Sequence, residues 1–164
     1  MEVNAKSFAE QKGKAENTYS RQNQIFCPYF NTNIILNSDG FHHLQFSARR
    51  ERNKREQLLK FRLLPLALQV LRKSGTVQEY RSGMIAAGGT GKRDGLTSMK
   101  TVQYWAFVAI VGDQNPIRIR VITRKVGNGN VTFWSVMLHS KIKNGRQRLY
   151  SEDIEDEEHE KAAS

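Results

Sequence analysis

The 164-residue chain is poor in cysteine, with Cys27 alone, and in proline, with three. A lone thiol builds no internal disulfide framework, which points to a reducing compartment. Nothing beside Cys27 in sequence supplies a base or cation to activate it. No apolar run approaches the roughly 20 residues of a membrane-spanning helix, and the first residues lack the apolar stretch of a secretory leader. These absences predict a cytoplasmic protein with no membrane partner. Acidic residues are scarce as well, except at one end. Seven of the 16 acids fall within residues 151–164, beside only one of the 26 bases. Residues 1–150 therefore carry 25 basic against nine acidic side chains, a net charge of +16. Such a body suits a polyanion, because each phosphate neutralised releases condensed counterion. A basic surface that merely keeps the chain soluble is the plainer alternative.

The length suits one domain with its own core. Residues 1–24 are polar with little apolar periodicity and read as a flexible segment or weak helix. Residues 25–150 form the basic domain, and residues 151–164 an acidic, disordered tail able to shield it by intramolecular competition. Asn33-Ile34-Ile35-Leu36 reads as a short strand, with turn chemistry in Asn37-Ser38-Asp39-Gly40. The segment 41–46 reads as extended or turning, anchored by Phe41, Leu44 and Phe46. Between Arg49 and Lys73 leucines recur at helical spacing among cations, and Pro65 predicts a kink or two helices. Lys73-Ser74-Gly75 stops the helix. A strand ending at Tyr80 and a loop over 82–100 with five glycines come next. Strands are expected over 102–111, 117–126 and 131–138, joined by hairpin turns at 112–116 and 127–130. The alternation of Ile117, Ile119 and Val121 with Arg118 and Arg120 predicts one wet face. The fold class is α+β, with N-terminal helices packed on a four-stranded antiparallel sheet.

The segment Ala86-Ala87-Gly88-Gly89-Thr90-Gly91-Lys92 falls short of a phosphate loop: Ala86 replaces its first glycine and Arg93 its magnesium-holding hydroxyl. His42, His43, His139 and His159 lack ligand spacing, so no metal and no cofactor are expected. Metal-free RNA cleavage fits the residue types better. It needs a base for the 2′-hydroxyl, an acid for the leaving oxygen, and cations against the phosphorane charge. Histidine suits the proton transfers, and arginine suits the clamp. Candidates are His42 and His43, then Arg49, Arg50, Arg52, Lys54 and Arg55. Arg118, Arg120 and Arg124 fall on one sheet face, with Ser135 and His139 along the last strand. Tyr104, Trp105, Phe133 and Trp134 are available for base stacking. Each also has a structural reading: a satisfied histidine, a solvated helix start, arginines that keep a sheet soluble, aromatics in a core.

Gly40-Phe41-His42-His43-Leu44, the basic helix with Leu63-Leu64-Pro65-Leu66, Val121 to Gly129, and Phe133-Trp134-Ser135-Val136 together resemble phage- and mobile-element-borne nucleases of the barnase–EndoU–colicin–RelE superfamily. The resemblance spans about residues 30–140. It implies a metal-independent endoribonuclease, a toxin of a mobile element, with RNA, or alternatively DNA, as partner. It also implies His43, with His42 second, as the catalytic histidine, Arg124 on the scissile phosphate and Ser135 as a hydrogen-bonding group. By the same resemblance Lys54 or Arg50 would add charge stabilisation; from the residues themselves, Arg49, Arg50, Lys54, Arg118, Arg120 and Trp134 are the expected nucleic-acid-binding set. Such an enzyme endangers its own cell, so an acidic antitoxin or immunity protein is an expected partner. A non-catalytic RNA- or DNA-binding module using the same basic face is the alternative.

Overall fold

A computed structural model describes residues 4–47, 50–90, 97–114, 116–143 and 146–149. The expected acidic tail and Arg49 lie outside the described residues. Helix α1 (Ala5–Arg21) occupies most of the polar N-terminal segment, capped by the Asn4 side chain accepting from the Lys6 amide at 2.9 Å. It packs on helix α3 through Phe8, whose ring meets Phe61 at 5.8 Å. Strands β1 (Gln24–Cys27) and β2 (Thr32–Ile35) form a hairpin, with Asn31 in the left-handed region at φ 51°. Helix α2 (Ser38–Gln45) follows, and here the sequence reading is corrected: residues 41–46 are helical, not extended. The Asn37 side-chain oxygen accepts from the Gly40 amide and starts the helix, so the predicted turn chemistry serves as a cap.

Helix α3 (Lys54–Lys73) begins with a reciprocal capping box between Asn53 and Glu56 and runs unbroken through Pro65. The expected division at Pro65 does not occur; the ring sits on the exposed side of the helix. The apolar stripe of α3, including Phe61, Leu64, Leu68 and Leu71, is buried against the sheet. Each such side chain contributes about 1.5–3 kcal/mol on burial.

The sheet is the larger correction. It has six strands in the order β1-β2-β6-β5-β4-β3 and is mixed, because β2 runs parallel to β6 through the single pair Ile35–Thr132. The expected four-stranded antiparallel sheet is the β3–β6 part, to which β2 brings the early hairpin. Strands β3 (Glu79–Thr90) and β4 (Thr97–Val111) extend into the predicted glycine loop. Their register shifts between Ala86 and Thr90, where Gly88 and Gly89 fall. Strand β5 (Ile117–Val126) is buried from Ile119 to Thr123 and on to Arg124, so the expected wet face is covered over its centre. Strand β6 (Thr132–Leu138) completes the sheet, and β7 (Ser140–Lys143) with β8 (Arg146–Leu149) forms a separate hairpin.

One core lies between the helices and the sheet face carrying Phe107, Ile119, Val121, Phe133 and Val136. A second cluster, Val102, Tyr104, Ala106, Ile122, Trp134 and Met137, occupies the opposite face. No helix among the described residues is long and apolar enough to cross a membrane.

Candidate functional site

The β5–β6 register steps from Ile122–Ser135 to Thr123–Phe133, which leaves Trp134 as the extra residue of a bulge. A bulge re-aims side chains and interrupts pairing. Beyond Thr132 the outer edge of β6 meets helices instead of a strand. Gly40 of α2 lies so close that a Cβ there would collide with the Phe133 carbonyl oxygen. From α3, the Lys60 ammonium donates to Ser135 Oγ at 3.1 Å and to the Val136 carbonyl at 3.0 Å.

Around this bulge three segments converge. The His43 imidazole stacks on the Trp134 indole, with centroids 4.4 Å apart and planes 15° apart. The Arg124 guanidinium carbon lies 3.6 Å from the indole centroid, a cation–π contact. Ser135 is the next residue of β6 and carries the Lys60 bond. The Arg52 Nε donates to the His43 carbonyl at 3.1 Å, and its terminal nitrogen is 3.3 Å from His43 Nε2. Arginine has only donors, so Nε2 accepts in this contact. Gln57 in turn donates to the Arg52 carbonyl at 2.6 Å.

The charge here is one-sided. The buried charged side chains among the described residues are Arg52, Lys60, Arg120 and Arg124, at 3–6% exposure, with His43 beside them at 6%. No carboxylate is buried in the same set. Arg120 reaches Glu79 at 2.5 Å, a carboxylate 38% exposed. Removing cations from water is costly unless opposite charge or acceptors meet them, and here Lys60 meets Ser135 and Val136, Arg52 the His43 carbonyl, and Arg120 the Glu79 carboxylate.

The structure separates the predicted residues into two groups. His43, Arg124 and Trp134 come together, and Ser135 follows Trp134 in β6 with its hydroxyl held by Lys60. His42 does not join them: it is exposed and stacks on Phe46 at 4.5 Å. Arg50 pairs with Glu56 at 3.1 Å, and Lys54 lies 3.8 Å from Glu51 and 4.4 Å from the Phe8 ring centroid. Both are surface cations at the start of α3. Arg118 is exposed on β5. Cys27 is buried, and burial pushes its thiol pKa up, away from the reactive thiolate.

Arg52 and Lys60 carry contacts in the cluster and were not assigned roles at its centre from sequence. Lys60 had a readable signal: it interrupts the apolar stripe Phe61-Leu64-Leu68-Leu71 on its buried side. A lysine in that position needs acceptors from another element.

Among the described residues no three or more His, Cys, Asp or Glu side chains group as metal ligands. No family model, curated protein or solved structure matches this chain.

Proposed function

We propose that this protein is a metal-independent endoribonuclease of the barnase–EndoU–colicin–RelE kind, cleaving RNA by attack of a ribose 2′-hydroxyl on its own phosphodiester. The observation that carries this reading is the convergence of His43 and Arg124, distant in sequence, on Trp134, with Ser135 as the next residue of β6. In this reading Arg124 holds the scissile phosphate, and Lys60 fixes the Ser135 hydroxyl in the neighbouring part of β6. The indole fixes the arginine plane, which a bidentate contact with phosphate needs. In the reaction the 2′-oxygen bonds to phosphorus and the bond to the 5′-oxygen breaks. A base takes the 2′-proton and an acid supplies one to the leaving oxygen. His43 is the first candidate for a proton-transfer role, and exposed His42 the second. The products are a 2′,3′-cyclic phosphate and a 5′-hydroxyl.

One observation favours a second reading, a non-catalytic RNA- or DNA-binding module. The His43 ring is buried and its Nε2 faces Arg52, the arrangement of a histidine that positions its neighbours. In either reading RNA is the proposed partner, with an acidic antitoxin or immunity protein as a proposed inhibitor.

Incubation with total RNA in EDTA separates the two readings. The nuclease releases cyclic-phosphate ends, and His43→Ala or Arg124→Ala abolishes them. Retention of intact RNA by a folded protein with salt-sensitive affinity would move the assignment to the binding module.

A further inference from the structure

Beside Arg124 lies an open cavity of about 290 Å³, at the small end of the range for ligand pockets. Its walls come from two places: the junction of β2 with α2, which supplies Asn37 and Asp39, and the β5–β6 hairpin, which supplies Arg124, Asn130 and Thr132. Both walls are shaped by backbone geometry. Asn37 is tied to the Gly40 amide at 3.0 Å, and the Thr132 hydroxyl donates to the Arg124 carbonyl at 3.1 Å. The hairpin turns through Gly127 at φ +54°, where a side chain would be strained.

The lining has mixed charge. Arg124 borders the cavity on the hairpin wall, and Asp39 and Asn130 bring an acidic and an amide residue to the same lining. A phosphate inside the hollow would meet the Asp39 carboxylate, so the anion belongs at the Arg124 side. The remainder suits a flat heterocycle with hydrogen-bond donors on its edge.

We propose that this cavity is a nucleobase subsite that seats the base of the nucleotide whose phosphate Arg124 holds, and that Asp39 selects bases carrying an exocyclic amino group over uracil. The proposal rests on the reading that Arg124 binds RNA phosphate. A carboxylate offers only acceptors. Cytosine, adenine and guanine each present an amino donor to it. Uracil presents a single N–H between two carbonyl oxygens, which the carboxylate repels. Cytidine and uridine have the same shape, so their comparison isolates this contact.

The test is titration of the full chain with CMP, AMP and UMP, followed by calorimetry or amide chemical shifts, for the wild type and Asp39→Asn. Wild-type protein binds CMP and AMP at least about fivefold more tightly than UMP. Asp39→Asn removes or inverts that preference, because an amide can donate to a uracil carbonyl. Asn130→Ala weakens all three ligands and keeps their order. Circular dichroism and thermal melting verify that each variant is folded. Equal wild-type affinities, no binding of any mononucleotide, or a preference unchanged in Asp39→Asn would each overturn the proposal.

Mononucleotides contain no internucleotide bond, so this measurement is independent of cleavage. Selective binding by a chain that never cuts RNA would preserve the subsite and remove the nuclease. Cutting without base preference in the titration would do the reverse.

Discussion

Lys60 on α3 and Ser135 on β6, 75 positions apart in the chain, are joined by a buried hydrogen bond of 3.1 Å. The same ammonium donates to the Val136 carbonyl on the helix-covered edge of the strand. One cation thus ties the helix to the β6 bulge and orients the hydroxyl beside Trp134. Lys60→Met should lower unfolding free energy by about 1–3 kcal/mol, the cost of leaving buried acceptors unmet. Ser135→Ala should cost only about 1 kcal/mol, because Val136 still receives the ammonium. Urea denaturation checks both. Equal losses in the two variants would contradict this division of roles.

Gly40 offers a second test. A methyl group there meets the Phe133 backbone, which cannot swing aside as a long side chain would. Gly40→Ala should displace α2 from β6 at a cost of about 1–3 kcal/mol. Because α2 carries His43, RNA cleavage should fall by more than the folded fraction does. Thermal melting and an RNA assay on the same sample compare the two losses, and unchanged stability would refute the close approach.

The start of α3 carries a pH dependence. The hydrogen bond from Arg50 holds the Glu56 carboxyl below the usual range, and the capping contact with Asn53 adds to this. A depressed folded pKa gives stability that is complete above the unfolded value of about 4.3. That stability is lost as pH falls through the folded value. Wild-type protein should therefore lose more stability between neutral pH and acid than Glu56→Gln does. Solvent exposure limits the difference to about 1 kcal/mol or less. Denaturation curves across the acid range check this, and parallel pH profiles would rule it out.

Binding should be strongly salt-dependent. With uncleavable 2′-O-methyl RNA, log affinity should fall linearly with log salt, with a slope of about −0.7 per phosphate neutralised. Deleting residues 151–164 removes seven acids and one base and should raise affinity at low salt. Fluorescence anisotropy measures both effects. Identical low-salt affinities would exclude the tail as a competitor for the basic body.

Several elements were legible because their signals are local. The leucine spacing of α3 and the Ser74-Gly75 stop lie within a few turns of one another, and the last three strands of the main sheet are separated by turn residues. Other elements were hidden because distant partners decide them. Residues 38–45 carry adjacent histidines and a glycine, weak helix formers, yet the Asn37 cap and the close seat of Gly40 on β6 make them helical. The glycines at 83, 88 and 89 suggested a loop, whereas Gly83 pairs with Val102 of β4 and the other two fall in the irregular stretch between Ala86 and Thr90 of the same strand. Pro65 suggested a break, but its ring faces outward and packing on both sides of it continues the helix.

The sequence by itself determined the charge imbalance, the α+β class and the residue types available for phosphate chemistry, since these depend on composition and short-range periodicity. Only the tertiary structure decided which of those residues meet. The β6 bulge turns Trp134 towards His43 and Arg124, while Lys60 joins from α3 and Arg52 from the segment that precedes it. Such meetings arise from a one-residue register shift and from contacts between remote segments, and neither leaves a periodic trace along the chain.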